Sequence, residues 1–172
     1  RRLGLAKRIL GYDNNPEYIA EISSRNLVDY LAEAPDAKLA EAQLVMLAVP
    51  VKAFAEVLSN IRPHLSASVI LTDTGSVKSP LLQMMRAPEY AGISFVGGHP
   101  IAGSENFGPH AARENLFAGK RCILTPETDT DRDVVRTVCE MWESMGSMVS
   151  EMDAKDHDQM FASVSHLPHL LA

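Results

Sequence analysis

Gln43-Leu44-Val45-Met46-Leu47-Ala48-Val49-Pro50 is the stretch that decides the fold. It carries a continuous apolar run with no polar alternation, the pattern of a strand covered on both faces. Pro50 ends it, because proline has no N–H to give a ladder. Working outward, Val51, Phe54, Ala55, Leu58 and Ile61 recur at helical spacing, and residues 68–72 form the next strand. Residues 80–85 open a further helix and 93–96 a fourth strand. Upstream, residues 7–12 read as a strand and 16–31 as a helix, with Asn14 or Asn15 as its cap and Pro16 in its first turn. Downstream come a strand at 121–125, a helix at 131–145, a short strand at 148–150 and a helical pattern from Asp153 onward. This alternation predicts an α/β protein with a Rossmann-type, doubly wound, mostly parallel sheet.

Composition narrows the function classes. The 172 residues are 46% hydrophobic and 22% charged, with a formal net charge of -6. An acidic balance argues against nucleic acid or an anionic membrane as partner. No apolar run approaches the ~20 residues of a membrane span. Cys122 and Cys139 show no CxxC or Cys/His spacing, so a reducing, cytoplasmic setting is expected. The reading divides the chain at residue 152, a nucleotide-binding domain of 1–152 preceding the opening helix of a second domain at 153–172. Asp13 is the acidic residue that ends the second strand of a dinucleotide-binding unit, ~20 residues after its glycine fingerprint. On that expectation the first strand and the glycine-rich loop lie upstream of Arg1, and the chain is truncated at both ends.

Four strand ends carry candidate chemistry. The Asp13 carboxylate, at Gly11-Tyr12-Asp13, accepts from ribose hydroxyls and repels a 2′-phosphate. No arginine follows it, which favours NAD over NADP; the alternative is a helix N-cap. Ala48-Val49-Pro50-Val51 lies where open α/β sheets bind ligands, and a plain strand terminus is the competing reading. Asp73-Thr74-Gly75-Ser76-Val77-Lys78 combines a glycine, hydroxyls and an ammonium; Ser76 serves cofactor or proton relay, or else Ser76 or Ser79 caps a helix. Val96-Gly97-Gly98-His99-Pro100-Ile101-Ala102-Gly103-Ser104-Glu105 sets an imidazole in a glycine-rich loop, positioned as catalytic groups are. Glu105 orients that loop or forms an ion pair at its entrance. At the C-terminus, His166 and His169 share a helix face kinked by Pro168. No third ligand follows them at zinc-like spacing, so no metal is assigned. Asp156-His157-Asp158 reads as a solvated helix start.

These motifs, above all Gly98-His99-Pro100-Ile101-Ala102-Gly103-Ser104-Glu105 and Ser165-His166-Leu167-Pro168-His169, resemble prephenate/arogenate dehydrogenases of tyrosine biosynthesis. The resemblance covers nearly the whole chain, in the family's order. It implies a Rossmann-type domain followed by an all-helical dimerisation domain, hence a homodimer. It also implies NAD-dependent oxidative decarboxylation of prephenate or arogenate. In that chemistry His99 is the base toward the ring 4-hydroxyl and Ser76 its hydroxyl partner. Gly103, Ser104, Glu105 and His169 face substrate, while Asp13, Val49, Pro50, Val51, Thr74 and Gly75 face the cofactor. The family's substrate-binding arginine lies in later helices, so this chain by itself is expected to turn over little. Two alternatives stand beside it. One is a dehydrogenase of the 3-hydroxyacid or 6-phosphogluconate type, whose base is a lysine that Lys155 does not match in position. The other is a nucleotide-binding domain without catalysis.

Overall fold

The computed structural model describes residues 4–102 and 108–163. In chain order its elements are β1 (Leu10–Tyr12), α1 (Pro16–Ser24), β2 (Tyr30–Ala32), β3 (Leu44–Leu47), α2 (Phe54–Ile61), β4 (Ile70–Asp73), α3 (Ser79–Met85), β5 (Ser94–Pro100), β6 (Arg121–Thr125), α4 (Arg132–Ser144), β7 (Met148–Glu151) and α5 (Ala154–Phe161), with short 3₁₀ turns between them. The larger sheet runs β3-β4-β5-β6-β7. Its neighbours are parallel except β5 and β6, which are antiparallel. The fold is therefore α/β, Rossmann-type and mostly parallel, as the alternation predicts.

Three local expectations need correction. The helix expected over 16–31 stops at Ser24. Asn26 adopts φ 50°, its N–H reaches Ser23 O and Leu27 N–H reaches Ile22 O, which closes the helix in a left-handed cap. The freed chain returns as β2, parallel to β1, helped by Asp29 Oδ2 accepting from Ile9 N–H at 2.8 Å. Second, residues 7–12 do not supply a strand to the main sheet: β1 begins at Leu10 and pairs with β2 in a sheet of two. Third, His99 stands on β5 and not in a loop. Gly97, Gly98, His99 and Pro100 pair with Thr125, Leu124, Ile123 and Cys122 of β6.

Both faces of the main sheet are covered, which explains the unbroken apolar run of β3. Successive strand residues point to opposite faces. Accordingly Leu71 and Phe95 join Phe54, Leu58, Ile61 and Leu81 from α2 and α3, whereas Ile70 and Val96 join Val135, Val138 and Trp142 from α4. Trp142, Leu58, Leu71 and Val96 are fully buried. Each such side chain contributes roughly 1.5–3 kcal/mol of apolar burial.

Glycine at 97 and 98 is dictated by this packing. A Cβ on Gly98 would stand 2.7 Å from the Asp73 carbonyl oxygen, and one on Gly97 would stand 2.6 Å from Thr125 Oγ1. The obstacle at Gly98 is backbone of the adjacent strand, which cannot rotate away. Gly98→Ala is expected to lower stability by about 1–3 kcal/mol through overpacking, read as a reduced urea midpoint. A midpoint equal to the wild type would mean that β4 and β5 separate freely here.

Candidate active site

The two halves of β5 have different neighbours. Ser94, Phe95 and Val96 pair with β4, after which the register with β4 ends. β4 itself finishes at Asp73, and Thr74 turns back, its N–H on Leu47 O at 3.3 Å. Where the β4 ladder has run out, two side chains take over, one from its last residue and one from the loop beyond. Asp73 Oδ1 accepts from Gly98 N–H at 3.0 Å, and Lys78 Nζ donates to Gly98 O at 2.8 Å. Together they occupy the place of one more ladder residue beside β5. They also join each other at 2.5 Å, with side-chain exposures of 1% and 0%, and Asp73 Oδ2 accepts from Gly75 N–H at 2.8 Å. Burial is the strongest influence on both groups, pushing the Asp73 carboxyl up and the Lys78 ammonium down, against their mutual attraction and hydrogen bonds. Cys122 lies nearby on β6, its thiol pushed up to about 12 by burial, which leaves it inert as a nucleophile.

This rung holds the strand end that carries His99. The half-buried His99 ring is gripped from α5. Its Nδ1 lies 2.8 Å from His157 Nε2, and His157 Nδ1 lies 2.8 Å from Asp158 Oδ1. Asp158 accepts from the Lys78 and Ser79 amides as well, each at 2.8 Å, and Ser79 Oγ donates to Ala154 O at 3.1 Å. Phe161 completes the enclosure, with ring centroids 4.8 Å from His99 and 4.7 Å from His157. Burial alone would raise the Asp158 carboxyl. Hydrogen bonds from His157 and from the Ser79 and Lys78 amides outweigh it and hold the group below its ordinary value.

His157 is thus not part of a solvated helix start. It is fully buried, because Ala154, His157 and Phe161 share the face of α5 that turns toward α3 and His99. The signal in the sequence was that i, i+3, i+7 spacing behind the cap Asp153, which accepts from Lys155 N–H at 2.8 Å. The charges on either side of His157 masked it. Lys78 was likewise legible only as an ammonium, and its burial depends on Asp73, at the end of β4, and on the more distant Gly98 carbonyl.

The remaining candidates distribute over several strand ends. Asp13 follows β1 half-buried, its Oδ1 accepting from Asn15 N–H at 2.8 Å. The cap of α1 is Asn15, which accepts from Glu17 N–H, so the capping alternative for Asp13 falls away. Pro50 is exposed after β3, and Val49 and Val51 are partly buried against the core. Val51 reaches the next loop, since a Cβ on Gly75 would stand 3.3 Å from its Cγ2. Thr74 is partly buried and Ser76 exposed in the bend between β4 and α3. The β3–α2 and β4–α3 loops therefore meet at Val51 and Gly75. Gly103, Ser104, Glu105, His166 and His169 lie outside the described residues.

With this geometry in view, known proteins give the chain its place. Residues 1–151 match the model of the prephenate dehydrogenase nucleotide-binding domain. A cyclohexadienyl dehydrogenase of Zymomonas mobilis is 35% identical over 163 residues, which is 94% of this chain and 55% of that protein. A crystal structure of prephenate dehydrogenase from Aquifex aeolicus, in complex with hydroxyphenyl propionate and NAD+, superposes with a TM-score of 0.90 at 38% identity. It covers 99% of this chain, which in turn covers 59% of it. Synechocystis arogenate dehydrogenase aligns at 31% identity and a TM-score of 0.79, over 92% of this chain and 56% of that one. The chain spans about half the length of the curated relatives it matches. By sequence match over residues 1–151 and by fold, this chain belongs to the prephenate dehydrogenase family.

Proposed function

We propose that this chain supplies the nucleotide-binding half of an enzyme that oxidatively decarboxylates prephenate or arogenate with NAD. The observation that carries the reading is His99, held at the carboxyl end of β5 by the Asp73–Lys78 rung on one side and by His157 on the other. The A. aeolicus relative crystallised with NAD+ and a hydroxyphenyl acid supports the same pairing of ligands.

The residues present suit the dinucleotide. Asp13 offers a half-buried carboxylate at a strand end, an acceptor for vicinal ribose hydroxyls and a repeller of a 2′-phosphate. Val49, Pro50, Val51, Thr74 and Gly75 form the neighbouring strand-end loops that would line its path. When bound, the nicotinamide ring supplies the hydride acceptor. His99 supplies the base: its imidazole takes the proton of the ring 4-hydroxyl as hydride leaves the same carbon. Loss of CO2 then delivers its electron pair to the ring, and the imidazolium returns the proton to what becomes the phenol oxygen. Ser76, in the bend after β4, is the hydroxyl we assign beside this exchange. Gly103, Ser104, Glu105 and His169 are assigned to substrate by motif.

The helix beginning after Asp153 opens the second, helical domain, through which the whole protein forms a homodimer in the cytoplasm. Among the described residues no helix is long and apolar enough to cross a membrane.

The test is NADH formation by the full-length protein, with prephenate and arogenate each offered alongside NAD and NADP. NAD-dependent turnover of at least one substrate, with NADP the poorer cofactor, is the expected result. Absence of turnover with both substrates would overturn the assignment.

A further inference from the structure

We propose that His157 and Asp158 are positioning residues that place the proton of neutral His99 on Nδ1 and so leave the basic lone pair on Nε2. The inference rests on the reading of His99 as the base and adds the device that orients it.

The derivation follows donors and acceptors along the chain of contacts. Asp158 already accepts from two backbone amides, Lys78 N–H and Ser79 N–H, so its carboxylate is committed as an acceptor. The His157 Nδ1 that faces Oδ1 at 2.8 Å must then be the donor. In neutral His157 the other nitrogen, Nε2, consequently carries a lone pair. That lone pair faces His99 Nδ1 at 2.8 Å, which makes His99 Nδ1 the donor in turn. A neutral imidazole has one N–H, so in His99 the acceptor is Nε2. Free imidazole side chains favour the opposite tautomer, with the proton on Nε2, which would present a donor to a hydroxyl that has to lose a proton.

The arrangement also fixes the ring in space. His157 is fully buried and its own ring packs on Phe161, leaving it little freedom to turn. Phe161 packs on His99 too, at a 64° interplanar angle. Asp158 binds the Lys78 amide just before α3 and the Ser79 amide that opens it, so the helix that follows the Ser76 bend and the orientation of His99 depend on one carboxylate.

Ring nitrogen shifts of His99, from ¹⁵N-histidine labelling of the 172-residue chain at about pH 8, above the ordinary range of a histidine side chain, report the tautomer directly. The expected result is Nδ1–H in the wild type, loss of that preference in His157→Phe, and its restoration in His157→Gln, whose side-chain carbonyl can accept from Nδ1. Backbone amide spectra of the variants establish that the fold is kept. A wild type carrying the proton on Nε2 would overturn the proposal without any variant, and so would a folded His157→Phe that keeps Nδ1–H. No substrate or cofactor enters this measurement. A wrong tautomer therefore leaves the reaction assignment standing, and an inactive full-length enzyme with the right tautomer overturns the reaction alone.

Discussion

His99→Asn in the full-length enzyme is expected to lower kcat by about 10²-fold or more, with KM little changed. Asparagine is small enough for the site and retains hydrogen-bonding capacity, so the strand end should remain in place. What it lacks is an acceptor that can hold a proton while hydride leaves. The loss then falls on the transition state and not on ground-state binding, which is why the two kinetic constants separate. Steady-state rates across prephenate and NAD concentrations measure both. A fall in kcat smaller than about threefold would remove His99 from the role of base.

The second large effect is on stability. Lys78→Met is expected to cost about 3–5 kcal/mol, because it leaves the Asp73 carboxylate buried without its cation. That is a large fraction of the roughly 5–15 kcal/mol that typically holds a domain folded. The substitution also strips Gly98 O of the donor that stands in for a ladder neighbour. The double variant Asp73→Asn/Lys78→Met should recover part of the loss, since no uncompensated charge remains and the introduced amide's carbonyl can still accept from Gly98 N–H. Urea unfolding of the wild type and both variants measures this. A Lys78→Met stability within about 1 kcal/mol of the wild type would show that the pair does not hold the strand end.

Much of the architecture was legible because burial on both faces leaves its mark on single strands. The run at 44–49, the strand at 121–125 and the helix capped by Asp131 appear nearly where local pattern places them. The stop of α1 was not legible, since Asn26 and Asp29 act through backbone geometry and a contact with Ile9 twenty residues away. His99 was singled out by its glycines, yet the reason for those glycines lay elsewhere. They admit the Asp73 backbone and Thr125 against β5, a matter of interstrand distance that no local window contains. The partners His157 and Lys78 were missed for a shared reason. Both are polar groups whose burial is compensated partly by near neighbours, Asp158 and Asp73, and partly across 58 and 20 residues of chain, and local pattern treats such groups as solvated.

The side-chain rung at Gly98 has a consequence for how this chain can vary. A ladder made of peptide groups is indifferent to the amino acids it joins, so ordinary substitutions leave its spacing alone. Here the spacing beside His99 is written in two codons, those of Asp73 and Lys78. One replacement in either reaches His99 through its immediate neighbour Gly98, whose N–H and carbonyl these two side chains bind. The aim of the imidazole and the stability of the strand end therefore rest on the same two side chains.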